Sequence, residues 1–291
     1  MKKVLLLLFL FAVTLLHAEI KICSHCGQGI KTHCYTAENK YFCSKKCLGA
    51  KFSCSSCGTL PRGRYMISMA SDGTNHRFCE SCSKQKRCFS CTLPAMNGRI
   101  LSDDRFQCNR CSARRLTPQQ TRQLLTELRA TLHEMYGFEA THKIVLRLIS
   151  QKAMEKISND TRSLGCMKVD INKKTFTQGR KERTEIKWTC TLYLLTDLPD
   201  IIAAKVMAHE LTHDYLYHHA GRGNDPKVTE GICEAVSGAF LESRKFNGYL
   251  EAMKKNPDPV YGAGFRLIFP QLKRYGFKGM LERYRSTFTP F

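Results

Sequence analysis

His209-Glu210-Leu211-Thr212-His213 is the stretch that decides how this chain is read. Two histidines four residues apart on a helix lie on one face, one turn above the other. Their imidazole nitrogens can then reach one zinc ion. The glutamate between them can sit beside the open coordination position and take a proton from water there. Glu230 opens Glu230-Gly231-Ile232-Cys233-Glu234 and is a natural third ligand. HExxH by itself also occurs in helices that bind no metal, so its setting matters. Leu198-Pro199-Asp200 has the form of a helix start, and residues 201–207 are a largely apolar lead-in that places the motif on a core helix. Asp225-Pro226 opens a second helix, which carries Glu230. The pattern predicts a zinc metalloendopeptidase with His209, His213 and Glu230 as metal ligands and Glu210 as catalytic base. Glu234, one helical turn after Glu230, is placed to orient a ligand histidine, and Asp214 is a weaker candidate for the same task. Cys233 falls off the ligand face and reads as core.

The cysteines carry a second message. Thirteen of the sixteen lie between Cys23 and Cys111. They pair as Cys23/Cys26 with Cys43/Cys47, Cys54/Cys57 with Cys79/Cys82, and Cys88/Cys91 with Cys108/Cys111. Two such knuckles complete a tetrahedral four-cysteine site, and three blocks in succession make a repeat of small zinc modules. These modules have too few large apolar residues to fold on a core alone, so metal would supply their folding free energy. The competing reading is disulfides, since export implies an oxidising compartment. Twelve zinc ligands leave Cys34 over. His33 and His76 are substitute ligands, and His76-Arg77-Phe78-Cys79 has the HxxC spacing of a LIM finger. The five residues between Cys82 and Cys88 break that pattern, so Cys82 is assigned to the second site. Cys166 and Cys190 flank a strand pair and read equally as a disulfide or as free thiols. The expected metal content is one catalytic and about three structural zinc ions.

Residues 1–18 read as a signal peptide: Lys2 and Lys3, an apolar run over 4–16, and a small residue at Ala18. The run is too short for a confident span, and no later stretch can cross a membrane, so a periplasmic or secreted protein is expected. The style of the signal is bacterial. The formal net charge is +21. Thiolate–zinc sites would lower it to roughly +15, still basic. That balance suits either an anionic surface or a lysine-rich solvated face. Nucleic acid is disfavoured as a partner, because no RNA-binding signature stands out and export argues against a chromosomal role. The expected partner is a protein or peptide substrate.

In the second half, Thr117-Pro118-Gln119-Gln120 is a capping box that begins a helix ending near Gly137. Strands are expected over 142–150, 166–171 and 185–195, a short helix over 151–158, and at least one more helix within 258–283. The polar stretch 172–183 suits a hairpin or a loop. The fold class is α+β, a zincin-like peptidase domain of small sheet plus helices behind tandem four-cysteine modules. The expected units are 1–18, a Cys-rich zinc module at 19–52, paired zinc-ribbon or LIM-like modules at 53–112, and the peptidase domain at 113–291.

Four separated motifs bear on the family. They are Cys88-Phe-Ser-Cys91 with its second knuckle, Leu198-Pro199 running to Ala208-His-Glu-Leu-Thr-His213, Glu230-Gly-Ile-Cys233, and Pro259-Val-Tyr-Gly262 with Gly264-Phe-Arg266. Over residues 88–284 the chain resembles the DA-one family of LIM-domain, ubiquitin-activated peptidases. The resemblance implies His209 and His213 as ligands, Glu210 as base and Glu230 as third ligand in the gluzincin manner. It also extends to Tyr261 and Arg266, a phenol and a guanidinium suited to stabilising an oxyanion. The chain departs from the family in lacking a ubiquitin-interacting segment and in placing Glu234 where a glutamine is expected. Its export signal argues against ubiquitin as activator unless the protein is delivered into a host. The alternative reading is a catalytically inactive adaptor that uses the zinc modules to grip a partner.

Overall fold

The computed structural model describes residues 20–31, 33–60, 63–139, 142–178 and 181–290. The expected signal peptide lies outside them.

The Cys-rich half is one small motif used three times: a knuckle, a two-stranded hairpin, and a short helix that starts at the second knuckle. The hairpins are β1 (Tyr35–Ala37) with β2 (Lys40–Phe42), β3 (Tyr65–Met69) with β4 (Asn75–Cys79), and β5 (Gly98–Ile100) with β6 (Phe106–Cys108). The helices are α1 (Lys45–Phe52), α2 (Glu80–Ser83) and α3 (Asn109–Ser112). Each first knuckle closes by the same turn. Gly27 donates to the Cys23 carbonyl, Gly58 to Cys54, and Thr92 to Cys88, at 2.8–2.9 Å. The donor residue has positive φ every time, which is why glycine fills it twice; Thr92 takes it at φ 63°. Phe42 and Phe52 pack edge to face under the first module. Ala70, Phe78 and Leu93 join the cysteines of the second and third modules in one cluster.

The other half opens with α4 (Pro118–Tyr136), started by the reciprocal Thr117–Gln120 capping box and ended by Gly137 in the left-handed conformation. Thr121, Leu125, Leu128 and Leu132 form its buried stripe. Next come β7 (Ile144–Ile149), α5 (Gln151–Ser158), β8 (Gly165–Gln178) and β9 (Lys181–Leu195). The sheet order is β7-β9-β8. β9 runs parallel to β7 and antiparallel to β8, so β8 is one of the two edge strands. Residues 172–178 and 181–183 of the polar stretch are therefore paired strand. Cys166 pairs with Tyr193 and Cys190 with Val169, out of register with one another, and both thiols are free. The disulfide reading is thereby corrected.

Helix α6 (Asp200–His219) carries HExxH and packs against β8, β9, α4 and α7 (Pro226–Ser243). With neighbours on so many sides, Ile201, Ala204, Met207, Ala208, Leu211 and Leu216 are all buried. α7 starts at Asp225, whose carboxylate accepts from the amides of Lys227 and Val228. α8 (Asn247–Lys255) and α9 (Tyr261–Arg283) complete the helical layer, and β10 (Arg222–Gly223) pairs with β11 (Phe288–Thr289). α7 and α9 meet backbone to backbone. A Cβ on Gly231 would stand 2.8 Å from Gly264, and one on Gly264 would stand 2.4 Å from the Lys227 carbonyl. Side chains at either place would push α7, and Glu230 with it, off α9. Among the described residues no helix is long and apolar enough to cross a membrane.

The third module is fastened to the turn just before α6. Arg99 and Arg115 reach Asp197 at 2.6 and 3.2 Å, and Gln107 donates to the Asp197 carbonyl at 2.7 Å. Asp103, paired with Arg105, accepts from the Gln151 amide at the start of α5. None of the contacts to Asp197 and Gln151 is signalled by the sequence, because each joins residues 48 to 98 positions apart.

Candidate metal centres

Three cysteine groups form in the first half: Cys23, Cys26, Cys43 and Cys47; Cys54, Cys57, Cys79 and Cys82; Cys88, Cys91, Cys108 and Cys111. Sulfurs in contact stand 3.4–3.9 Å apart. A tetrahedron of zinc–sulfur bonds of about 2.3 Å has edges of about 3.8 Å. These groups fit zinc. The first knuckle also favours the thiolate that zinc needs, since hydrogen bonding to the Cys26 amide brings the Cys23 thiol down to about 6. Cys34 is outside the groups. His76 is outside too, its ring nitrogens engaged by Thr74 and Ser55.

The second half places three donors around one point. His209 Nε2 lies 3.2 Å from His213 Nε2 and 3.0 Å from Glu230 Oε2, and His213 Nε2 lies 3.4 Å from the same oxygen. The edges of a zinc tetrahedron with bonds of about 2.0 Å are about 3.3 Å. The histidines come from successive turns of α6, and α7, packed against α6, brings Glu230 across. The charge also suits a cation. Burial opposes a charged His209, yet hydrogen bonding to Glu230 and the nearness of Glu234 hold its pKa up at about 10. Burial opposes the Glu230 carboxylate, but the two histidines carry it well below the usual range. A metal ion would take the place of the protons these groups now share.

Glu234 lies behind the donors. Its Oε1 is 3.0 Å from His209 Nδ1, a contact off the hydrogen-bonding direction, and its Oε2 is 3.4 Å from Lys205 Nζ. Burial opposes its charge too, while Lys205 and His209 bring it down to about 2. The Cys233 sulfur also comes within 4.8 Å of a nitrogen of each histidine, closer than its helical position suggests. Burial pushes that thiol well up.

These groups line a cleft of about 810 Å³ between β8, α6, α7 and the start of α9. Glu210 faces it with Oε2 held by the Met167 amide of β8 at 2.8 Å. Gly165 allows that approach, because a Cβ there would stand 2.4 Å from Val206 and 3.1 Å from Glu210. Tyr261 lies at the cleft mouth with its ring 6.2 Å from that of His209. Its phenol is pushed above the ordinary range by burial and by the charges of Glu230 and Glu210, so it stays a donor. Arg266 does not line the cleft. Its guanidinium donates to the carbonyls of Lys254 and Asn256 at the end of α8, which corrects its assignment as an oxyanion donor. Of the histidines and tyrosine just past the motif, Tyr217 lines the cleft, whereas His218 and His219 line a separate, smaller pocket.

A family profile described as DA1-like, Protein DA1, matches residues 122–254. The chain resembles the DA1 family. Protein DA1-related 2 of Arabidopsis thaliana is 26% identical over 156 residues, 41% of this chain and 29% of that protein. The LIM domain-containing protein HDR3 of Oryza sativa subsp. japonica is 23% identical over 156 residues, 40% of this chain and 30% of its own. Protein DA1 of Arabidopsis thaliana aligns more widely, at 21% identity over 94% of this chain and 64% of itself. The matched regions thus span less than two thirds of each relative. No solved structure gives a significant match. The DA1-like match includes HExxH, Glu230 and Glu234, and the named LIM relative accords with the four-cysteine groups of the first half.

Proposed function

We propose that the chain is an exported zinc-dependent endopeptidase with a zincin-like catalytic half. The observation that carries this reading is the convergence of His209, His213 and Glu230 on one point in a cleft where Glu210 also stands. His209, His213 and Glu230 would hold the ion, and a bound zinc supplies Lewis-acid polarisation of the scissile carbonyl and acidifies water in the cleft. Glu210 is the general base. The Met167 amide holds one carboxylate oxygen, and the other takes the water proton and delivers it to the leaving amine. The phenol of Tyr261 donates to the developing oxyanion. β8 is the edge strand beside the cleft, so its backbone can align an extended peptide by strand addition. Lys2, Lys3 and the apolar run that follows support export.

The zinc modules of residues 19–112 recruit substrate or regulate the site. Ile67 and Met69 point outward from β3, exposed side by side, and this surface favours a recruiting role. The same surface is what an inactive adaptor would use. Glu210→Gln separates the two readings. Rate falls of about 10²–10⁴-fold in peptide hydrolysis are expected for a lost general base, with zinc content unchanged. Full activity in that variant would sink the mechanism, and absence of any peptide hydrolysis by the parent chain would favour the adaptor.

A further inference from the structure

Behind the ligand face of α6 lies a second group of metal-binding side chains: His142, Cys190, Asp214 and His218. One atom from each lies within 4.8 Å of the others. Asp214 and His218 are four residues apart on α6, like His209 and His213, but roughly 140° further round the helix. They therefore face the sheet while the first pair faces the cleft. Cys190 is buried in β9 opposite Ile144 of β7, and His142 stands two residues before Ile144. Parallel pairing of β7 with β9 thus brings His142 alongside Cys190.

The contacts are those of a prepared site. His142 Nε2 lies 3.0 Å from both carboxylate oxygens of Asp214. His218 Nδ1 donates to the Asp214 carbonyl at 2.8 Å, which leaves Nε2 with its lone pair. That Nε2 faces the Cys190 sulfur at 3.9 Å. A zinc tetrahedron with bonds of about 2.3 Å to sulfur and about 2.0 Å to nitrogen has a sulfur–nitrogen edge of about 3.5 Å. The His142 and His218 rings stack at 4.2 Å and hold one another in place.

We propose that His142, Cys190, Asp214 and His218 bind a structural zinc ion that ties the sheet to the active-site helix. Zinc with one thiolate, one carboxylate and two neutral imidazoles has no net charge, so it can be buried at low electrostatic cost. The sulfur and nitrogen donors select zinc over magnesium or calcium. Four protein donors fill the coordination sphere, which marks a structural rather than a catalytic ion. The proposal does not rest on the peptidase reading, because it shares no ligand with the cleft.

Elemental analysis of the full chain, purified without chelators, tests it. Cys190→Ala is expected to lose one zinc per chain, His213→Ala another, and the double variant two. Retention of the parent zinc count in folded Cys190→Ala and His142→Gln would overturn the proposal and leave a hydrogen-bonded cluster. Diffraction at the zinc absorption edge gives the same decision without a variant. An anomalous peak among His142, Cys190, Asp214 and His218 of the parent is expected, and a map with peaks elsewhere and none there would overturn it. Loss in Cys190→Ala with none in His213→Ala would keep this site and remove the catalytic ion.

Discussion

The two halves of the chain use the same kind of donor in opposite ways. In residues 20–112 cysteines make up much of the core; the buried cluster shared by the second and third modules is six cysteines with Ala70, Phe78 and Leu93, among the described residues. In the second half, Ile232, Met207, Leu192, Met154 and Phe265 make a continuous apolar core, and the cleft donors are set on its edge. The first region therefore depends on its cysteine sites for a core, whereas in the second the cleft donors sit on a shape that apolar burial already provides.

The largest expected effect follows directly. Stripping zinc with a strong chelator should unfold residues 20–112, since a structural zinc contributes about 10–16 kcal/mol in zinc-finger peptides. The helical circular-dichroism signal of α4, α6 and α7 should survive while proteolysis concentrates before residue 113. Loss of both halves at one midpoint would break the comparison. Ile232→Ala should do the reverse, destabilising the helical half by about 2–5 kcal/mol, seen as a lower melting temperature, and leaving the zinc content of the modules unchanged. Glu234→Gln addresses the cleft itself. Weakening the support behind His209 should lower zinc affinity there by about 10–100-fold, measured by competition with a metal indicator, and leave the modules' affinity alone.

The smallest effect concerns the joint between the halves. Burial works against the Asp103 carboxylate, but Arg105 and the Gln151 amide hold its pKa below the usual range. A carboxylate lowered on folding stabilises above its unfolded value and loses that contribution as pH falls through the folded one. Docking of the third module should thus weaken only below about pH 4, the unfolded aspartate value. Asp103→Asn should remove about 1–2 kcal/mol at neutral pH, read as faster cleavage or hydrogen exchange in 98–116. Unchanged exchange there would show that Asp197 carries the joint alone.

Much of the architecture could be read locally. The capping box at Thr117, the stop at Gly137 and the Asp225-Pro226 start are signals of a few residues, and α4 and α7 begin or end at them. The resemblance to the DA1 family was legible for the same reason, in short motifs kept in order. α8 was not expected: it starts at Asn247 without a side-chain cap. The residue type of Arg266 suits an oxyanion, but its direction depends on where α8 ends. Cys166 and Cys190 were left open because strand register alone decides whether they can meet.

What the sequence by itself determined is what lies within a helical turn or a tight knuckle. HExxH places two imidazoles on one face, and each CxxC turns two sulfurs the same way, because local backbone geometry suffices. Tertiary structure decided everything that needs two distant segments in register. Packing of α7 against α6 brings Glu230 to the histidines, an edge strand grips Glu210, and the β7–β9 pairing carries His142 and Cys190 to the back of α6. Those placements are fixed by burying one apolar core, a sum over many weak contacts that no short motif spells out.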